Sequence, residues 1–214
     1  MIGRIKKAVC LCALAGVFLV HAGSYEDFFK AIKNDDAPTV AALLTRGIDP
    51  NTLGPEGLTG LFMAARSGAG KVAAVLLEAP GIDLESRNTV DESPLMLAAL
   101  RGDVPLAQAL ISRDADVNKT GWTPLHYAAS RGQLAMIDLL LEHNAYIDAE
   151  SPNGTTPLMM AAGYGNVQAT RALLKAGADA TLKNAEGLTA LDFALGFGKA
   201  DSASVLRAAA APPQ

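Results

Sequence analysis

Thr123-Pro124-Leu125-His126-Tyr127-Ala128-Ala129 is the stretch on which the reading of this chain turns. A threonine before a proline marks a helix start. Its hydroxyl accepts a bond from an orphan N–H of the first turn, and proline at the first helical position has no N–H to leave unpaired. The alanine pair lets a neighbouring helix approach closely. Variants recur at Thr59-Gly60-Leu61-Phe62-Met63-Ala64-Ala65, Ser93-Pro94-Leu95-Met96-Leu97-Ala98-Ala99, Thr156-Pro157-Leu158-Met159-Met160-Ala161-Ala162 and Thr189-Ala190-Leu191-Asp192-Phe193-Ala194. Successive starts lie 34, 30, 33 and 33 residues apart. Each is followed by a glycine suited to a tight inter-helix turn (Gly68, Gly102, Gly132, Gly165, Gly198) and then by an apolar block such as Leu139-Leu140-Leu141. One such unit cannot bury its own leucine stripe, so neighbouring units must stack.

Motif and period together resemble the ankyrin repeat, whose signature is Thr-Pro-Leu-His-x-Ala at a spacing near 33. The resemblance runs from Ser24 to about Ala210. It implies an all-α fold: an ankyrin-repeat solenoid of about six helix–turn–helix units joined by short β-hairpin loops. The units fall approximately at 24–56, 57–90, 91–120, 121–153, 154–186 and 187–210, followed by a disordered tail at 211–214. Fraying is expected from Ala208 onward. The second helix of each unit should end in a residue of left-handed conformation. Gly47, Gly81 and Gly177 fill that slot in three units, and Asp114 and Asn144, which tolerate positive φ best after glycine, fill it in two more. The 34-residue step carries one extra residue near Glu78-Ala79-Pro80. The 30-residue step lacks three residues after Asn118, which predicts a stunted hairpin between the third and fourth units. The first unit, with helical patterns at Tyr25–Lys33 and Pro38–Arg46, and the last, with Ala190 and Asp192 in the motif, read as caps.

Composition agrees with helices. Half of the residues are apolar but only 5% are aromatic, so the core must be built from Ala, Leu, Val and Ile, and alanine and leucine are strong helix formers. Residues 1–22 read as a signal peptide: Arg4, Lys6 and Lys7, then the apolar run Ala8 to Val20, then Val20-His21-Ala22 as a cleavage site. The run is shorter than the about 20 residues that span a bilayer, although an uncleaved anchor is the rival reading. Cleavage after Ala22 would remove both cysteines, Cys10 and Cys12, and shift the net charge from −4 to −7. An acidic chain with no basic run is a poor match to nucleic acid. The expected location is therefore the periplasm or the exterior, with no membrane insertion after signal removal and a monomeric state.

No catalytic set emerges. Ser67-Gly68-Ala69-Gly70-Lys71 fails the phosphate-loop pattern, with Ala65 and Val72 at its fixed positions. The three histidines, His21, His126 and His143, are scattered, so no metal site is expected, and no cofactor either. Asp91, Glu92, Asp114 and Asp116 read as solvated loop charge. Asn118-Lys119-Thr120 and Asn153-Gly154-Thr155 match the glycosylation pattern, with hairpin turn chemistry as a sufficient alternative.

The resemblance implies instead that another protein docks on hairpin tips and on the exposed side of each first helix. By alignment these positions include Leu58, Arg66, Ser67, Glu92, Leu100, Arg101, Trp122, Ser130, Arg131, Thr155 and Tyr164. Trp, Arg and Tyr most often dominate interfaces, which places Trp122, Arg131, Arg101 and Tyr164 at the centre, with Leu100, Arg66, Glu92 and Leu58 around them. Trp122 packing across its own hairpin is the competing role. The expected function is a non-enzymatic protein-interaction module in the cell envelope. An inhibitor or immunity-type partner of an exported toxin or enzyme, a helper of an envelope enzyme, and a structural scaffold are the alternatives.

Overall fold

Every one of the five motifs opens a helix, and each helix is followed by a second one. The computed structural model describes residues 23–210; the signal sequence read at 1–22 and the tail read at 211–214 lie outside the described residues. Among the described residues twelve helices form six pairs: α1 (residues 23–33) with α2 (Ala37–Thr45), α3 (Gly60–Ser67) with α4 (Gly70–Leu77), and α5 (Pro94–Arg101) with α6 (Val104–Ile111). Then come α7 (Pro124–Arg131) with α8 (Leu134–Glu142), α9 (Pro157–Gly163) with α10 (Val167–Lys175), and α11 (Ala190–Gly196) with α12 (Ala200–Ala209). Helices this short are marginal alone and need packing to persist. The last one continues through Ala209, so Ala208 and Ala209, where fraying was expected, are helical. Its apolar face, with Ala203 and Leu206 buried, holds it down.

The described residues form two compact units, one ending at Asp83 and one beginning at Leu84. The division falls in the connection between α4 and α5, where the extra residue sits. In the first unit α4 packs against α2 and α3 around Phe28, Ile32, Val40, Phe62 and Leu76. In the second, the first helices α5, α7, α9 and α11 pack in one row and the second helices α6, α8, α10 and α12 in another. The alanine pairs 98–99, 128–129 and 161–162 are fully buried at the contacts of the first row. Leu195 replaces the second alanine in the last pair and is half exposed.

The helix ends follow the residue chemistry. Thr59, Ser93, Thr156 and Thr189 each accept a bond from the backbone N–H three residues on, at 3.2–3.4 Å. The left-handed slot after the second helix is filled as expected, with φ of 94° at Gly47, 66° at Asp114, 61° at Asn144 and 99° at Gly177. In each of these four the following N–H reaches back to the helix, as in Ala145 to Leu140 at 2.9 Å. Gly81 is left-handed too, at 72°, but the extra residue redirects the bond, and Ile82 N–H meets Ala79 at 3.3 Å.

Two glycines of the motif sit in close quarters. Gly60 stands where Pro94, Pro124 and Pro157 stand in later repeats, and a Cβ there would lie 2.8 Å from Ile32 Cδ1, the movable end of that side chain. Gly165 was expected to serve a turn, yet its φ is not left-handed; a Cβ there would lie 2.3 Å from the Ala129 carbonyl oxygen, so close approach of backbone is what demands glycine.

The β-hairpin expectation needs correction. No strand forms among the described residues, and a single isolated bridge joins Leu53 and Thr59. The loops instead close over five residues with one repeated bond, Gly54 N–H to Leu58 O, Asn88 to Glu92, Ser151 to Thr155 and Asn184 to Leu188, at 2.8–3.3 Å. Each loop holds a left-handed residue two positions before the motif: Gly57, Asp91, Gly121, Gly154 and Gly187. Left-handed positions rich in Gly, Asn and Asp do not extend into a ladder.

Candidate functional site: an aromatic groove on the first-helix row

Counting from the capping Ser or Thr as zero, the position eight residues on is Arg101, Arg131, Tyr164 and Phe197 through the second unit, and the position seven on is Leu100, Ser130, Gly163 and Gly196. The row thus changes from cationic to aromatic, while the neighbouring row shrinks to hydrogen. The result is a groove of about 390 Å³. Trp122, Met160, Tyr164, Leu188, Phe193 and Phe197 give it an apolar lining, and Asn153, Asn184, Glu186 and Asp192 give it a polar edge. Tyr164 and Phe197 are 50% and 49% exposed, and their ring centroids lie 4.4 Å apart. A Cβ at Gly163 would come within 3.0 Å of Phe197 and 3.2 Å of Phe193, so the glycine seats both rings. A smaller hollow of about 220 Å³ adjoins on Trp122, between Leu100, Tyr127, Ser130 and Met160.

Trp122 packs within its own loop region and also borders both depressions. It stands edge-on to the His126 ring, with centroids 5.2 Å apart, and it lines both hollows. Its position follows from the stunted loop. Asn118 is committed to the next repeat: its Nδ2 donates to Asn144 O and its Oδ1 accepts from Tyr146 N–H, both at 2.8 Å. The five-residue backbone closure seen in the other loops does not form. The buried Lys119 ammonium replaces it, donating to Asp91, to Thr120 O at 3.0 Å and to Trp122 O at 3.3 Å. The lysine holds the Asp91 carboxyl below its ordinary range.

His126 joins that region to the next loop. Its Nδ1 accepts from the Thr123 N–H at 3.2 Å, which leaves the proton on Nε2 to be donated to Thr155 O at 2.8 Å. Burial pushes the imidazole down to about 4, against the opposing pull of the Thr155 and Ala149 carbonyls. The ring is therefore neutral near pH 7, a structural strut and not a proton carrier. Tyr127 donates to Glu92 Oε1 at 2.9 Å; burial and that carboxylate push the phenol up.

The expected docking residues divide. Trp122 and Tyr164 share the groove, and Leu100 and Trp122 share the hollow. Glu92 is half-buried beneath the Tyr127 hydroxyl. Arg101 and Arg131 are exposed in the last turns of α5 and α7, outside the lining of either depression. Arg66 belongs to the first unit, where it pairs with Glu56 at 2.8 Å. Two positions need correction. Leu58 is 7% exposed and Thr155, although it borders the groove, is 1% exposed, because each turns inward at a closed loop. Phe193, Phe197, Met160 and Leu188 went unpredicted, although Phe197 occupies the same motif position as Tyr164 and could have been found by extending that column by one repeat. Among the described residues no cluster of His, Cys, Asp or Glu is placed to hold a metal ion, and no helix is long and apolar enough to cross a membrane.

Comparison with known proteins adds the family. A segment of this chain is similar to the mouse 2-5A-dependent ribonuclease, with 40% identity over 75 residues, 32% of this chain and 10% of that protein. Another resembles the tyrosine-protein kinase HTK16 of Hydra vulgaris, at 29% over 153 residues, 68% of this chain and 20% of the kinase. A third resembles the mouse B-cell lymphoma 3 protein homolog, at 32% over 122 residues, 54% of this chain and 27% of that protein. The chain thus spans between a tenth and about a quarter of the length of these relatives. Models of ankyrin repeats match residues 76–151, as three copies, and 140–194, as many copies. Since these matches together run through 76–194, more than half of the 214 residues, and coincide with the capped helix pairs, the chain belongs to the ankyrin-repeat family.

Proposed function

We propose that this protein is a non-enzymatic interaction module that binds a partner protein through the groove of its second unit, and that it acts in the cell envelope. Ankyrin repeats are in general protein–protein interaction modules. The observation that carries the reading is the aromatic surface left in water: Tyr164, Phe197 and Leu188 remain 50%, 49% and 37% exposed around one depression. Contiguous apolar surface of this kind marks an interaction site. The envelope assignment rests on the signal-like residues 1–22 alone.

The test is affinity capture with the parent chain and a Tyr164→Ala/Phe197→Ala double variant. Both side chains are half exposed, so the variant should retain the parent's thermal midpoint within a few degrees. A partner held by the parent should bind the variant weaker by about 2 kcal/mol or more, the scale of an interface hot spot. Equal retention by both would refute the groove. Export is checked separately, by cell fractionation and by whether the mature chain begins at Gly23.

A further inference from the structure

We propose that the groove receives a lysine or arginine side chain carried by an exposed, otherwise apolar segment of the partner. This rests on the protein-binding reading above and specifies the chemistry of the partner. Three observations converge. The lining contains four aromatic rings, Trp122, Tyr164, Phe193 and Phe197. Tyr164 and Phe197 stand 4.4 Å apart at 51°, and Phe193 lies 6.3 Å from Phe197 at 31°, so the rings lean on one another at an angle along the groove and are not stacked parallel. Faces of this kind carry negative potential and attract cations.

Among the described residues the only charged ones lining the groove are Glu186 and Asp192, and no basic residue lines it. Glu186 has its backbone N–H tied to Asn184 Oδ1 at 3.0 Å, but its carboxylate has no hydrogen bond or ion pair among the described residues. Asp192 uses Oδ2 for the Thr189 N–H and hydroxyl, at 2.8 and 2.7 Å, which leaves Oδ1 without a hydrogen bond among the described residues, with the Lys183 charge in reach. An anionic guest would meet two carboxylates and ring faces of the wrong sign. A purely apolar guest would leave the Glu186 carboxylate unanswered, while Asp192 already has the Lys183 charge near it. A long aliphatic stem ending in a cation satisfies both, its methylenes against Met160 and the rings and its charge at the acidic edge.

The third observation is the contrast along the row. Arg101 and Arg131 stand at the motif position that Tyr164 and Phe197 occupy in the next two repeats. Cation-repelling and cation-attracting chemistry are thereby separated along one face, and the guest cation belongs at the α9–α11 end.

Trp122 is the only tryptophan in the chain, so its emission reports directly from the groove wall. The full-length chain would be titrated with three capped pentapeptides, Ala-Leu-Lys-Leu-Ala and the same peptide with norleucine or glutamate at its centre, followed by Trp122 emission and by calorimetry. We expect saturable binding of the lysine peptide, at least about fivefold tighter than the norleucine peptide, weakening with salt. Glu186→Gln, which alters an exposed and unbonded carboxylate, should erase most of that preference while leaving the melting curve unchanged. Equal binding of lysine and norleucine peptides, or preference for glutamate, would overturn the cation assignment and leave the protein-binding reading standing. No emission change or heat with any peptide would overturn the cation assignment, and Tyr164→Ala/Phe197→Ala retaining a captured partner would remove the wider reading as well.

Discussion

The loops 118–122 and 151–155 solve the same problem by different means. Both carry the chain from a second helix to the next capping threonine. In 151–155 the closure is neutral and local: Ser151 N–H donates to Thr155 O at 3.0 Å, and the Thr155 N–H returns to the Ser151 hydroxyl at 3.0 Å. In 118–122 there is not enough chain for that, and a buried ammonium gathers the loose carbonyls from one side and the Asp91 carboxylate from the other. A missing piece of backbone has been replaced by a charge. The difference teaches that a deletion in a repeat array need not be absorbed by distortion. It can be absorbed by one long side chain, provided its charge is met on arrival.

The largest effect should come from the strut between the two loops. The His126 imidazole has a folded value of about 4 against an ordinary 6.5, so it binds its proton more weakly folded than unfolded. The stability it supports is complete above about pH 6.5, is lost as pH falls toward 4, and falls no further below that. Integrated over the window, the loss is about 3 kcal/mol. Urea midpoints of the parent and of His126→Gln measured from pH 7 to 4 should converge across that range; a constant difference would mean the histidine is not the sensor.

The next effect tests the charged closure itself. Lys119→Met keeps the stem and removes the ammonium, leaving the Thr120 and Trp122 carbonyls without their donor. A cost of about 2 kcal/mol is expected, since hydrogen bonds to charged groups contribute about 1.5–3 kcal/mol. Trp122 emission should shift to the red in the same variant, because the lysine holds its carbonyl. An unchanged chemical midpoint and spectrum would show that the short loop closes without help.

The smallest effect separates the ammonium from its partner. Asp91 is 67% exposed in its side chain, so its attraction to Lys119 is screened by solvent. Asp91→Asn should cost less than about 1 kcal/mol, well below Lys119→Met. If the two substitutions cost the same, the salt bridge and not the carbonyl bonds closes the loop.

The repeat and its caps were legible because they are local. A threonine, a proline and a left-handed residue each act through their own backbone, so Thr156, Pro157 and Asn144 behave as their types dictate wherever they occur. The short loop was legible as a deficit of residues, but not its remedy, because nothing in Lys119 signals that its ammonium turns inward toward Asp91, 28 positions away. The groove was half legible for the same reason. Trp122 and Tyr164 stood out as residue types. Phe193 and Phe197 did not, since their seating depends on the space left by Gly163, and Leu58 and Thr155 were misjudged because alignment gives a residue its place in a repeat without giving the direction it faces.

Gly163 carries a consequence for how such a surface can change. The hydrogen that stands in for its side chain lies under Phe193 and Phe197, where a methyl would come within 3.2 Å of both rings. The height of the groove floor is thus governed by an atom that no visitor would ever touch. Drift at that hidden spot would reshape what is admitted above it while every outward group stayed the same, so two descendants of this chain with identical outer faces could come to prefer different guests.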